Sequence, residues 1–131
     1  MDKIELLIEM DVIPYVRMTQ RSKYVNERAI AYMDWMANFR IAIHQKLLKQ
    51  NFPQLLVKKP MYARIMFYET RVRHNRDLDN MIKAVMDACQ GVLFRNDMWF
   101  DHIDSKRLLS PGGPAVEIEL GYLDESNKDG M

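Results

Sequence analysis

Between Pro60 and Gly91 the hydrophobic period of the chain changes from two to about 3.6, and the residues at the changeover are mostly charged. Residues 60–72 read as a strand with Tyr62, Arg64, Met66 and Tyr68 on one face and Ala63, Ile65, Phe67 and Glu69 on the other. From Leu78 onward Ile82, Val85, Met86, Cys89 and Val92 recur at helical spacing, and Gly91 falls where a helix stops. A strand must therefore run through a charged junction straight into a helix. The junction holds Arg71, Arg73 and Arg76, followed at once by Asp77 and Asp79. On the helix, Asp79, Lys83 and Asp87 stand at i, i+4 and i+8 and form a polar stripe. Asp77 joins that stripe only if the helix starts at about Asp77 or Leu78. The turn Phe94-Arg95-Asn96-Asp97 then brings Asp97 back toward the helix.

Two readings of this stretch compete. Carboxylates converging at a helix start, with a lysine one turn on, make a site for a hard divalent cation, which takes oxygen ligands and bridges to phosphate. The same residues also suit an Asp N-cap with an i,i+4 Asp–Lys pair on a solvated face. Asp-x-Asp alone does not separate them.

The rest of the chain supplies a fold. Residues 3–13 predict a strand ended by Pro14. Residues 14–25 predict a loop in which Arg17, Arg21 and Lys23 mix with Tyr15 and Tyr24, a composition suited to phosphate contact and base stacking. Asn26 predicts the cap of a helix over about 26–50, stopped by Asn51 and Pro53. Its apolar positions Ala29, Ile30, Met33, Met36, Ala37, Ile41, Ile43, Leu47 and Leu48 keep roughly helical period, and Met33, Trp35, Met36 and Phe39 read as core or subunit-interface filler. Residues 98–109 predict a helical turn and a strand, 110–114 a hairpin turn, and 115–122 an alternating last strand pairing antiparallel with about 103–109. The expected fold is α+β: one small domain over 1–123, with a mixed β-sheet of about four strands packed against two main helices, and a polar, disordered tail over 124–131.

Composition narrows the function. At 48% apolar the chain can bury a core, and no apolar run approaches the ~18 residues of a membrane span. No secretory signal is evident, and one cysteine excludes an internal disulfide or a cysteine zinc cluster, so a cytoplasmic location is expected. The net charge of +1 hides an uneven distribution: residues 13–116 carry 17 basic and 9 acidic side chains, a net of +8. A basic body around a few clustered acids suits an enzyme that uses a metal on a polyanion. No Ser–His–Asp signature, Gly-rich phosphate loop or His-x-x-x-His spacing is present, so no nucleotide cofactor is expected. His74 and His102 neighbour acids and read either as general bases or as surface residues. Asp87 and Asp101 are reserve ligands.

With these residues in place, a resemblance emerges. Arg76-Asp77-Leu78-Asp79-Asn80, Lys83, Asp87-Ala88 and Asn96-Asp97 resemble the RusA family of Holliday junction resolvases, strongly over 76–97 and more weakly over 14–32. The resemblance implies a homodimeric, Mg²⁺-dependent endonuclease, with Mn²⁺ as a substitute ion, that nicks four-way DNA junctions symmetrically. It implies Asp77, Asp79 and Asp97 as metal-binding aspartates, Lys83 as the catalytic lysine and Arg76 as a basic residue beside the site. Arg73, Arg17 and Lys23 are the further candidate DNA contacts. One departure is Asn96, where the family often has a first acid of two; Asp97 is then the one ligand candidate in that turn. The competing class is a non-catalytic module that binds branched DNA and uses its acids structurally. A third is another Asp-x-Asp metal enzyme acting on nucleotides.

Overall fold

The computed structural model of the chain describes residues 3–16, 27–50, 59–71 and 76–123. The expectations for Arg17, Lys23, the Asn26 cap, the helix stop at 51–53, Arg73, His74 and the 124–131 tail lie outside those residues.

Alternation sets the sheet. In β1 (Lys3–Ile8) every second side chain, Ile4, Leu6 and Ile8, is buried. β2 (Met61–Glu69) buries Ala63, Ile65, Phe67 and Glu69 on the face predicted for them. β3 (Phe100–Leu109) is largely exposed, and β4 (Ala115–Tyr122) buries Val116, Ile118 and Leu120. The spatial order is β1-β4-β2-β3. β4 pairs antiparallel with both β1 and β2, so that Leu6, Ile118 and Ile65 stand in one buried row. β2 and β3 run parallel, joined through a helix as parallel neighbours require.

The hairpin expected between 103–109 and the last strand is therefore corrected. β4 inserts between β1 and β2, and β3 lies beyond β2 at the edge. β3, with Asp101, His102, Asp104, Ser105 and Lys106, has too little apolar surface for an inner position. β4 alternates cleanly and has both backbone edges paired. Residues 110–114 need only step across two strand spacings of ~4.8 Å. They pass over the end of β2, where the Ser110 N–H donates to the Glu69 carbonyl at 2.7 Å.

Two helices cover the buried face. α1 (Glu27–Gln50) buries Ala29, Tyr32, Trp35, Phe39 and Ile43. Of the residues read as core or interface filler, Trp35 and Phe39 are buried, whereas Met33 is exposed on the opposite side with Ile30, Ile41 and Leu48. Its apolar residues fall on two faces, which a count of period alone does not separate. α2 (Leu78–Cys89) buries Met81, Ala84, Val85, Met86, Ala88 and Cys89, and links β2 to β3. The strand expected over 3–13 stops at Ile8; residues 11–16 instead form an irregular strap toward the start of α2.

Candidate active site

α2 begins at Leu78, so Asp77 and Asp79 both lie at its N-terminus. Asp77 holds the N-cap position with extended backbone (φ −68°, ψ 130°), and its carbonyl accepts from the Met81 N–H at 3.0 Å. Its carboxylate makes no capping hydrogen bond. The capping role open to it from the sequence is thus not taken up. Asp79 and Lys83 are exposed and Asp87 is half-buried, so the polar stripe runs along the outer side of the helix. At the N-terminal end, by Asp77 and Asp79, negative charge is favoured by the positive end of the helix dipole.

Asp97 returns to this stripe by a built turn. Past the helix end, Gly91 takes φ +86°, a conformation that suits a residue without Cβ. The Leu93 N–H donates to the Cys89 carbonyl at 2.8 Å and the Gly91 N–H to the Phe94 carbonyl at 2.7 Å. Phe94 is buried and sits edge-on to Phe100, their ring centres 4.7 Å apart, which pins both ends of the segment carrying Asp97. Asn96 Oδ1 accepts the Met98 N–H at 3.0 Å and caps a 3-10 turn over Asp97–Trp99. The asparagine that departs from the family pattern is therefore a cap for the turn bearing Asp97.

Asp97 faces the far end of the stripe. Burial pushes the Asp87 carboxyl above its usual range; the Lys83 ammonium opposes this, and the Asp97 charge adds to it. Asp87, read from sequence as a reserve, is the acid of the stripe that feels the Asp97 charge. Arg40 of α1 stands behind it, donating from Nη2 to the Asp87 carbonyl (2.9 Å) and from Nε to the Ala88 carbonyl (3.1 Å). These are carbonyls of the last turn of α2, which lack partners within the helix. Nothing in the spacing of residues 40 and 87 announces this contact.

The predicted bases separate. Lys83 Nζ lies 4.0 Å from the centre of the Tyr15 ring, and among the described residues no ion pair ties it to Asp79 or Asp87. Arg76 turns inward: Nη1 donates to Asp11 Oδ1 (3.0 Å), Asp11 Oδ2 (3.1 Å) and the Val12 carbonyl (3.2 Å). In this arrangement its guanidinium anchors the strap. Arg71 and Arg95, which the sequence reading left without a role, are exposed near the two ends of the site segment. Asp101 and His102 are exposed on the edge strand.

Among the described residues, no three acids, histidines or cysteines stand close enough to hold a metal ion between them. Asp77, Asp79 and Asp97 are therefore not gathered into a cage. The donor chemistry nevertheless fits Mg²⁺, which keeps several waters and is held through one or two carboxylates together with substrate phosphate. A zinc-type site is a poor fit, since Cys89 is fully buried and burial pushes its thiol up to about 12.

A helix-borne stripe of two carboxylates and a lysine, faced by a returning aspartate within a basic α+β domain, is the kind of site found in enzymes that act on phosphodiesters. The family model described as Endodeoxyribonuclease RusA matches residues 13–121, so this chain belongs to the RusA family. Membership makes it an endodeoxyribonuclease of the kind that resolves Holliday junctions, acting on branched DNA. No curated protein matches the chain. Among the described residues, no helix is long and apolar enough to cross a membrane.

Proposed function

We propose that the protein is a homodimeric, Mg²⁺-dependent resolvase that makes paired symmetric nicks in a four-way junction, in the cytoplasm. The observation carrying this reading is the Asp79–Lys83–Asp87 stripe opposed by Asp97, in the segment where the family pattern is densest. Asp77, Asp79 and Asp97 are the carboxylates that would supply the ion's protein ligands, one or two at a time, with waters and the junction's phosphate completing the shell. Bound there, it would supply Lewis acidity and a more acidic water. Lys83, whose ammonium is not paired to the neighbouring acids, offsets charge developing on the phosphate oxygens. Asp87 and Arg40 hold the helix end against which Asp97 is presented. Arg73, Arg17 and Lys23 are candidates for phosphate contact.

Two symmetric nicks call for two sites related by a twofold axis. The outer side of α1 supports a second copy as its partner. At 100° per residue, Ile30, Met33, Ala37, Ile41, His44 and Leu48 fall within one narrow arc, and all are exposed. An antiparallel copy centred near Phe39 sets Ile30 against Leu48, Asp34 against His44 and Ala37 against Ile41.

The test is a synthetic four-way junction incubated with and without Mg²⁺, alongside Asp79→Asn. Paired nicks that need the metal and vanish in the variant are expected. Intact junction under every metal condition, from a folded dimer, would overturn the reading. A second reading, a non-catalytic module for branched DNA, is favoured by the open spacing of the acids. It predicts junction binding that is indifferent to Mg²⁺ and survives Asp79→Asn.

A further inference from the structure

The strap over residues 11–16 touches the start of α2 at three successive places. Before the helix, Asp11 holds Arg76. In its first turn, the Asn80 carbonyl accepts the Tyr15 N–H at 3.0 Å. One turn further, the Lys83 ammonium sits over the Tyr15 ring, 4.0 Å from its centre. The ring itself is fixed from behind: its edge meets Tyr32 at 5.9 Å between centres with the planes 88° apart, and Tyr32, buried, stacks on Trp35 at 5.8 Å. Trp35 Nε1 donates back to the Asp11 carbonyl at 2.8 Å, closing the strap on itself.

We propose that Tyr15 is a positioning residue for Lys83, holding the ammonium over its ring face and out of ion pairs with Asp79 and Asp87. The proposal rests on the reading in which Lys83 acts at the reacting phosphate. A lysine at i+4 from one aspartate and i−4 from another would ordinarily be drawn into ion pairs along the helix. An ammonium neutralised that way offers less to a phosphate. A ring face attracts the cation without donating or accepting a proton and without fixing its N–H groups. Three donors then remain for substrate. A long, flexible side chain is held near one place before the junction arrives, which lowers the ordering cost of reaching the reactive geometry.

The experiment compares Tyr15→Leu, Tyr15→Phe and Lys83→Met for single-turnover cleavage at saturating junction, with junction affinity measured separately without metal. Tyr15→Leu should slow cleavage about 10-fold with affinity unchanged, Tyr15→Phe should cleave at close to the wild-type rate, and Lys83→Met should be inactive. An NMR readout independent of activity accompanies it. The Lys83 ε-methylene protons, shifted upfield by the ring current in wild type and Tyr15→Phe, should return to the ordinary lysine position in Tyr15→Leu. Wild-type cleavage by Tyr15→Leu beside an inactive Lys83→Met overturns the positioning role alone. A loss in Tyr15→Phe equal to that in Tyr15→Leu also overturns it, because the hydroxyl and not the ring face would then be at work. Full cleavage by Lys83→Met removes the reading of the site and the proposal with it.

Discussion

The acids around β2 and α2 fall into two groups, and the fold treats them in opposite ways. Asp11 and Glu69 are each set against an arginine: Asp11 against Arg76 at 3.0 Å and Glu69 against Arg107 at 3.8 Å, the latter pair largely buried where Arg107 Nη2 also approaches Met81 Sδ at 3.5 Å. Asp77, Asp79 and Asp97 stand at the surface, and the nearby lysine is drawn aside onto an aromatic ring. As sequence, Glu69 close before Arg71 and Asp77 directly after Arg76 look alike. Charge matched by an arginine holds the strap and the sheet to α2; unmatched charge on the same helix is what a cation and a phosphate require. The difference teaches that a basic side chain next to an acid says little about function until its own partner is known.

The comparison breaks most severely at the unmatched acids. Asp79→Asn or Asp97→Asn should cut junction cleavage about 1,000-fold, roughly 4 kcal/mol of transition-state stabilisation. Junction affinity and melting temperature should stay within error of wild type, which gel shift and thermal unfolding can check. A comparable loss of stability would move these residues into the matched group.

At the matched acids the expected effect is on folding. Arg107→Ala leaves Glu69 buried without its arginine and should destabilise by about 3 kcal/mol in urea unfolding. Restoring shape without charge, as Glu69→Leu with Arg107→Met, should recover most of it. Arg76→Ala acts at a more exposed pair and should cost about 1–2 kcal/mol. Junction affinity near wild type in that variant would place the guanidinium with the strap; a large loss with unchanged stability would return Arg76 to the DNA.

Much of this arrangement was legible in the sequence, and its gaps have physical reasons. The change of period at residues 71–78 located β2, α2 and the acids, because burial on one face dictates both periods. The alternation of β4 fixed which residues are buried but not which strand lies beside it. Five residues suffice for a hairpin or for a step over β2, so loop length misled where the polarity of β3 pointed to an edge. Arg76 and Lys83 were legible as charges near the acids. Their partners Asp11 and Tyr15 come from a strap more than 60 residues earlier, and local spacing carries no trace of them.

The smallest expected effect falls on the residue between the two groups. Asp87 is half-buried, and burial raises its carboxyl above the ordinary range, with Asp97 adding and Lys83 opposing. Ionising it therefore costs more in the folded chain than in the unfolded one. The stability this group contributes is full below the unfolded pKa and is lost as pH rises through the higher folded value. Asp87→Asn avoids that loss, so at pH 7 it should melt about 1–3 °C above wild type, the gap closing as pH falls toward the acid range. The same substitution should lower cleavage, since the amide removes a charge that faces Asp97. Stability gained where activity is lost marks a residue held in a costly state for function. An Asp87→Asn variant that melts below wild type at pH 7 would instead show a carboxylate that the surrounding lysine and arginine have already neutralised, and would place Asp87 with Asp11 and Glu69.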